Sequence, residues 1–212
     1  MTAMGERNAG IDLVRVLGIM AIVAGHCIPL GSWTSALFIW HVPVFFFLTG
    51  YLWKPQRAIR DEAARRTRTL LKPYLFWFSA TYALFLAGAT LSGHSPDLLL
   101  APVYGGYYAV RPFTTFWFVF ALFGTALLWR VLELAPQWAR GIFVVAALLV
   151  APFVGAPLSQ TPLALGTSLL AVVFVALGQV TRAYEPRIGS ARAWLGAGMF
   201  VTGVALTMLD AV

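Results

Sequence analysis

Charged residues are scarce in this sequence: Asp, Glu, Lys and Arg make up 11% of its 212 residues, against about 25% in an ordinary soluble domain. A chain of this length can bury a core, but it has too few charges to clothe the outside of one in water. With 60% hydrophobic residues and a mean hydropathy of +0.80, it is neither a soluble globular protein nor a disordered one. Cysteine is nearly absent. Cys27 alone permits no internal disulfide, so the fold does not depend on an oxidising compartment. Histidine is confined to His26, His41 and His94, which with one cysteine make a poor metal-ligand set. Lysine occurs only as Lys54 and Lys72, both in one loop, which excludes a seventh-helix Schiff base of the retinal-protein kind. Alternating ten-residue strands are missing, which excludes a transmembrane β-barrel. There is no serine-hydrolase elbow, phosphate loop or internal repeat.

What the chain does have is long apolar runs. A bilayer core about 30 Å thick takes roughly 20 helical residues to cross, and seven stretches qualify: 11–30, 34–53, 73–92, 113–134, 141–158, 162–180 and 193–209. The first holds Asp12, Arg15 and His26 and lacks a small-residue cleavage site, so it reads as a span and not as a signal peptide. The segment 98–110 is apolar but short, with Gly105-Gly106 and three tyrosines, and reads as interfacial or re-entrant. The expectation is an all-α polytopic transmembrane bundle of about seven spans.

The net charge of +7 is distributed as membrane topology requires, in short segments between apolar runs, and does not point to nucleic acid. With the N-terminus inside, the inner segments hold Arg7, Lys54, Arg57, Arg60, Arg65, Arg66, Arg68, Lys72, Arg130, Arg140, Arg182, Arg187 and Arg192. Those are thirteen of the fifteen basic residues. Arg15 lies within the first span, and only Arg111 falls outside. The N-terminus is expected on the cytoplasmic side.

Ionisable groups inside spans are costly and default to functional candidates. Asp12 and Arg15, three residues apart, share a face near the cytoplasmic end. Arg15 and His26 are eleven residues apart, about 20° past three full turns, so they share a face about 16 Å apart along the axis. The alternative is an arginine snorkelling at a helix end and a core histidine bonded to a carbonyl. His41 lies at a depth similar to His26, about 10 Å against about 6 Å. A neutral imidazole there suits general-base catalysis, although Trp40-His41-Val42-Pro43 also reads as a helix start. His94 is expected to be solvated, and Cys27 to be a small buried apolar residue. The loop from Lys54 to Lys72 carries seven positive and two negative charges. It serves topology and anionic lipid headgroups on one reading, and a polyphosphate donor held by guanidinium forks on the other. Trp117 fits an interfacial aromatic belt.

Together these residues resemble the acyltransferase 3 family of integral-membrane acyltransferases, which includes bacterial O-acetyltransferases of surface polysaccharides. The first span, Ile11-Asp12-Leu13-Val14-Arg15 through His26, is similar to the family's opening Arg and His separated by ten residues. His41-Val42-Pro43-Val44-Phe45-Phe46-Phe47-Leu48-Thr49-Gly50-Tyr51 resembles its Phe-x-x-Ser-Gly-aromatic element, with Thr in place of Ser. Arg65-Arg66-Thr67-Arg68 fits a cytoplasmic Arg-x-x-Arg. Phe116-Trp117-Phe118-Val119 and Phe174-x-x-x-Gly178 resemble later elements.

The resemblance implies one membrane-embedded domain over residues 1–212 in a bacterial inner membrane, surrounded by lipid. It also implies acyl-CoA, acetyl-CoA above all, as donor substrate, with no bound cofactor. The acceptor would be a hydroxyl of a surface carbohydrate or lipid-linked glycan. His26 would be the catalytic base or a transient acyl carrier. Asp12, Arg15, His41, Arg65, Arg68 and Trp117 would bind donor or substrate. The family typically has more spans than these seven, so further C-terminal helices are expected to be missing. A glycan or lipid transporter or flippase without acyl-transfer activity is the alternative, since a histidine-bearing polar path also suits proton coupling.

Overall fold

Lipid offers the backbone no hydrogen-bond partners, so a chain this apolar satisfies its amides internally by coiling into helices. A computed structural model describes residues 9–27, 32–55, 57–92 and 96–188, and among these there are helices and turns but no strand. Helix α1 spans Ala9–Cys27 and α2 spans Ser32–Tyr51. Helix α3, Ile59–Arg66, runs through a π-helical turn, Thr67–Leu71, into α4, Lys72–Leu91. The remaining helices are α5 (Pro96–Tyr104), α6 (Trp117–Leu132), α7 (Gln137–Ser159) and α8 (Ser168–Ile188).

Five helical stretches among the described residues are long and apolar enough to cross a bilayer: Ala9–Cys27, Ile59–Leu91, Phe113–Leu132, Gln137–Ser159 and Pro162–Glu185. Five of the seven expected stretches fall on them. The stretch 34–53 coincides with α2, a 20-residue helix without a charged residue. The stretch 193–209, like His94, lies outside the described residues. The expected interfacial segment 98–110 is a nine-residue α5, too short to cross, followed by a turn. That turn needs glycine: Gly105 and Gly106 have φ of +62° and +58°, and a Cβ on Gly106 would meet the Ala164 amide nitrogen at 2.9 Å.

Two glycines set the central crossing. A Cβ on Gly50 of α2 would overlap the Val175 carbonyl of α8, and a Cβ on Gly178 of α8 would overlap the Phe47 carbonyl of α2. Small residues let backbones meet at this range, which is how helices gain packing energy without a hydrophobic force between them. Around the crossing, Phe46 of α2, Ala121, Leu122, Ala126 and Trp129 of α6, Ala147 of α7 and Val172 and Val175 of α8 form the core.

Helices α1 and α4 are peripheral. Helix α1 buries Gly18 and Ala21 and exposes Leu13, Val16, Leu17 and Met20, and α4 exposes Leu75, Phe76, Trp77 and Leu84. In water such faces would be a liability; in a bilayer they are the lipid-facing surface. Cys27, expected to be buried, is exposed at the end of α1, where its side chain points away from the half-buried Ala24, Gly25 and His26.

Candidate functional site

A cavity of about 520 Å³ opens at the end of the bundle where α2 ends and α3 begins. Its rim is cationic, formed by Arg15, Lys54, Arg57, Arg65 and Arg66, with the carboxylate of Glu62 among them. It is also lined by Phe45, Leu48 and Thr49 of α2, by Leu52 just after it, and by Leu70 and Leu122. Within α2, Phe45 stands six residues before Tyr51, about 9 Å at the helical rise, so apolar side chains of the helix continue the cavity away from the charged residues that follow it. The π-helical turn sits at this mouth, and Thr69 and Leu70 from it line the cavity. Turns of this kind insert an extra residue into a helix and recur at functional sites.

The charges are organised around Glu62, whose side chain is 1% exposed. Arg57 donates to it at 2.6 Å, Arg65 at 2.7 Å and Arg66 at 2.8 Å, and the Arg130 guanidinium lies 3.9 Å away. Helix α3 favours this locally: Asp61 and Glu62 stand in its first turn, where the dipole favours negative charge, and Arg65 and Arg66 follow Glu62 at i+3 and i+4. Glu62 lies well ahead of the apolar part of this helix, which begins after Lys72. Burial alone would raise its pKa, but hydrogen bonds from Arg65, Arg66 and Arg57 outweigh that and hold it at about 2.

Arg130, at the end of α6, fixes the connecting loop. It donates to the carbonyls of Lys54 at 2.9 Å and Pro55 at 2.8 Å, pairs with Glu133, and lies 4.3 Å over the Trp53 ring. The Trp53 indole in turn donates to Glu133 at 2.7 Å. From α8, Arg182 donates to the carbonyls of Tyr51 and Trp53, and the Tyr51 hydroxyl donates to Glu185.

The structure brings some of the expected site residues together and separates others. Arg15 and Arg65 both line the cavity. Asp12 pairs with Arg15 at 3.3 Å and so borders it. Arg68 is exposed on the π-helical turn and is not among the cavity walls. His26 is half-buried near the opposite end of α1, within electrostatic reach of Arg111. His41 is 1% exposed and stands in the middle of α2, not at a helix start, with the Trp40 ring edge-on at 6.3 Å. Trp117 opens α6, half-buried against the core, at the end of that helix away from Arg130. Among the described residues no cluster of three or more His, Cys, Asp or Glu could hold a metal ion.

Lys54, Arg57 and Arg66 belong to the loop that one sequence reading gave to a polyphosphate donor, without being singled out there, whereas Glu62 and Arg130 were missed as organisers. Signals for two of these were present. Glu62 stands three and four residues before Arg65 and Arg66, and Arg130 three before Glu133, the spacings at which helical side chains meet.

Apolar helices long enough to cross a bilayer, with a cation-lined cavity at one end, define a multi-pass membrane protein. The chain belongs to the acyltransferase 3 family, whose model, an acyltransferase domain, matches residues 8–211. It is similar to the nodulation protein NolL of Mesorhizobium japonicum, at 25% identity over 172 residues, covering 74% of this chain and 44% of that protein. The chain thus spans less than half the length of this curated relative. No solved structure matches it.

Proposed function

We propose that this protein transfers an acyl group, most simply acetyl, from cytoplasmic acyl-CoA to a hydroxyl of a surface carbohydrate or lipid-linked glycan. The observation that carries this reading is that five cationic side chains line one cavity together with phenylalanine and leucine. A coenzyme A thioester has the matching polarity: phosphates at one end, a thin uncharged arm and an acyl group at the other. Guanidinium forks at Arg57 and Arg65 hold phosphates in bidentate fashion, with Lys54 and Arg15 adding charge and Arg68 contributing at the approach. The thioester then lies along α2 and α1, pointing away from the mouth. With this mouth cytoplasmic, the N-terminus is inside and the protein sits in a bacterial inner membrane.

His26, about 16 Å along α1 from Arg15, is the catalytic base in this scheme. Its imidazole takes the proton of the acceptor hydroxyl as that oxygen attacks the thioester carbonyl. The new C–O bond forms, the C–S bond breaks, and the proton passes to the departing thiolate, giving free coenzyme A. His41 and Trp117 complete the walls on the acceptor side.

The test uses membrane vesicles of both orientations with radiolabelled acetyl-CoA outside. Label transferred to glycan only in inside-out vesicles supports the scheme. Glycan or lipid flux without any labelling supports transport instead, and labelling in right-side-out vesicles reverses the orientation.

A further inference from the structure

Glu62 is set apart from the groups that line the cavity with it. It is the single carboxylate among five cations there, and it is almost completely shielded from solvent. It takes Arg65 and Arg66 on one oxygen, Oε1, and Arg57 on the other, Oε2. Each arginine commits one nitrogen to it: Nη1 of Arg57, Nη2 of Arg65 and Nε of Arg66. A guanidinium has five N–H donors in a rigid fork, so most of each fork stays available, and Arg57 and Arg65 are 23% and 44% exposed.

The charge count is unbalanced. Three guanidinium charges against one carboxylate leave two uncompensated, before Arg130 at 3.9 Å is considered. The excess is carried partly by Arg57 and Arg65, which are open to solvent at the cavity, so it is presented to whatever enters there. A cluster built with an excess of positive charge is completed by an anion.

We propose that Glu62 is a positioning residue that holds Arg57, Arg65 and Arg66 as a preorganised array for the diphosphate of the donor. This rests on the donor reading above and deepens it. Preorganised forks lose less side-chain freedom on binding than free surface arginines do, and this favours affinity. Glu62 itself does not touch the anion, which like charge would repel.

The sign of one substitution separates positioning from simple counter-charge. If Glu62 only dilutes the positive potential, Glu62→Gln tightens anion binding. If it positions the arginines, Glu62→Gln weakens binding although the site has become more positive. The measurement is calorimetric titration of the purified full chain in detergent with coenzyme A and, separately, with inorganic pyrophosphate, alongside thermal unfolding. Asp61→Asn makes the same charge change on the exposed neighbouring carboxylate and should leave both affinities the same or slightly tighter.

The expected result is a tenfold or greater weakening of both ligands in Glu62→Gln. Equal or tighter binding overturns the proposal and leaves the donor reading standing. Pyrophosphate binding that Glu62→Gln weakens, with no coenzyme A binding by the unaltered chain, supports the array and removes the donor reading. Binding of neither ligand by the unaltered chain removes both. Should Glu62→Gln not fold, Glu62→Asp keeps the charge but shortens the reach by one methylene; it is expected to weaken pyrophosphate binding, and unchanged binding overturns the proposal.

Discussion

The crossing of α2 and α8 makes a sharp prediction, because each helix has a glycine where a single added carbon would strike the other's backbone. In Gly178→Ala the new methyl overlaps the Phe47 carbonyl, and the obstacle is main chain that no side-chain rotation can clear. The helices must separate, and Phe46, Val172 and Val175, all buried at this contact, lose packing together. Inserting one carbon into a close-packed interface costs about 1–3 kcal/mol, and this site belongs at the upper end because the obstacle is backbone. At about 2–4 °C per kcal/mol for a chain of this size, Tm should fall by about 4–10 °C. Helix α2 also supplies Phe45, Leu48 and Thr49 to the cavity wall, so coenzyme A affinity should fall with stability. The assay is thermal unfolding of the purified protein in detergent. Gly88→Ala on α4 and Gly141→Ala on α7 are the controls, since a Cβ at either meets nothing within 4 Å. Alanine is the better helix former by about 0.8–1.0 kcal/mol, so those variants should be unchanged or slightly more stable. A Gly178→Ala protein as stable as the Gly88→Ala protein would refute the crossing as described.

Arg57→Ala and Arg65→Ala should each weaken coenzyme A binding about 10- to 100-fold, as expected for losing one charged hydrogen bond of about 1.5–3 kcal/mol; calorimetric titration reads this, and unchanged affinity in both argues against phosphate binding there. Trp53→Leu removes the ring under Arg130 and the indole bond to Glu133, and should lower Tm while leaving helix content unchanged by circular dichroism. The pH dependence of stability follows from Glu62, whose folded pKa of about 2 lies below its ordinary 4.5. A depressed carboxyl pKa contributes stability that is fully present above 4.5 and lost as pH falls toward 2. Unfolding followed from pH 6 to pH 2 should show that loss, and Glu62→Gln should flatten it.

The spans were legible because lipid imposes one rule, apolar length, that needs no tertiary information. Thus 141–158 and 113–134 lie on α7 and on the α6 stretch to within a few residues. The join at 59–72 was less legible: a charge run read as a loop is instead a helix continuous with the next span, with Glu62 holding Arg65 and Arg66 of that run. For the site, Arg15 and Arg65 followed from motif and face, and both line the cavity. Glu62 was overlooked because its importance comes from burial, and Arg130 because its partners, Lys54 and Pro55, are 75 or more residues away in sequence. Gly50 and Gly178 were visible as motif letters, but only the crossing explains why neither tolerates a side chain.

The central claim is that one end of the bundle holds the donor while His26, a separate group, performs the chemistry. Coenzyme A binding and acetyl transfer to glycan, measured on the same preparation of His26→Ala, test this most directly. The account predicts donor affinity equal to that of the unaltered protein with transfer lost. Undiminished transfer, or loss of binding together with transfer, contradicts it.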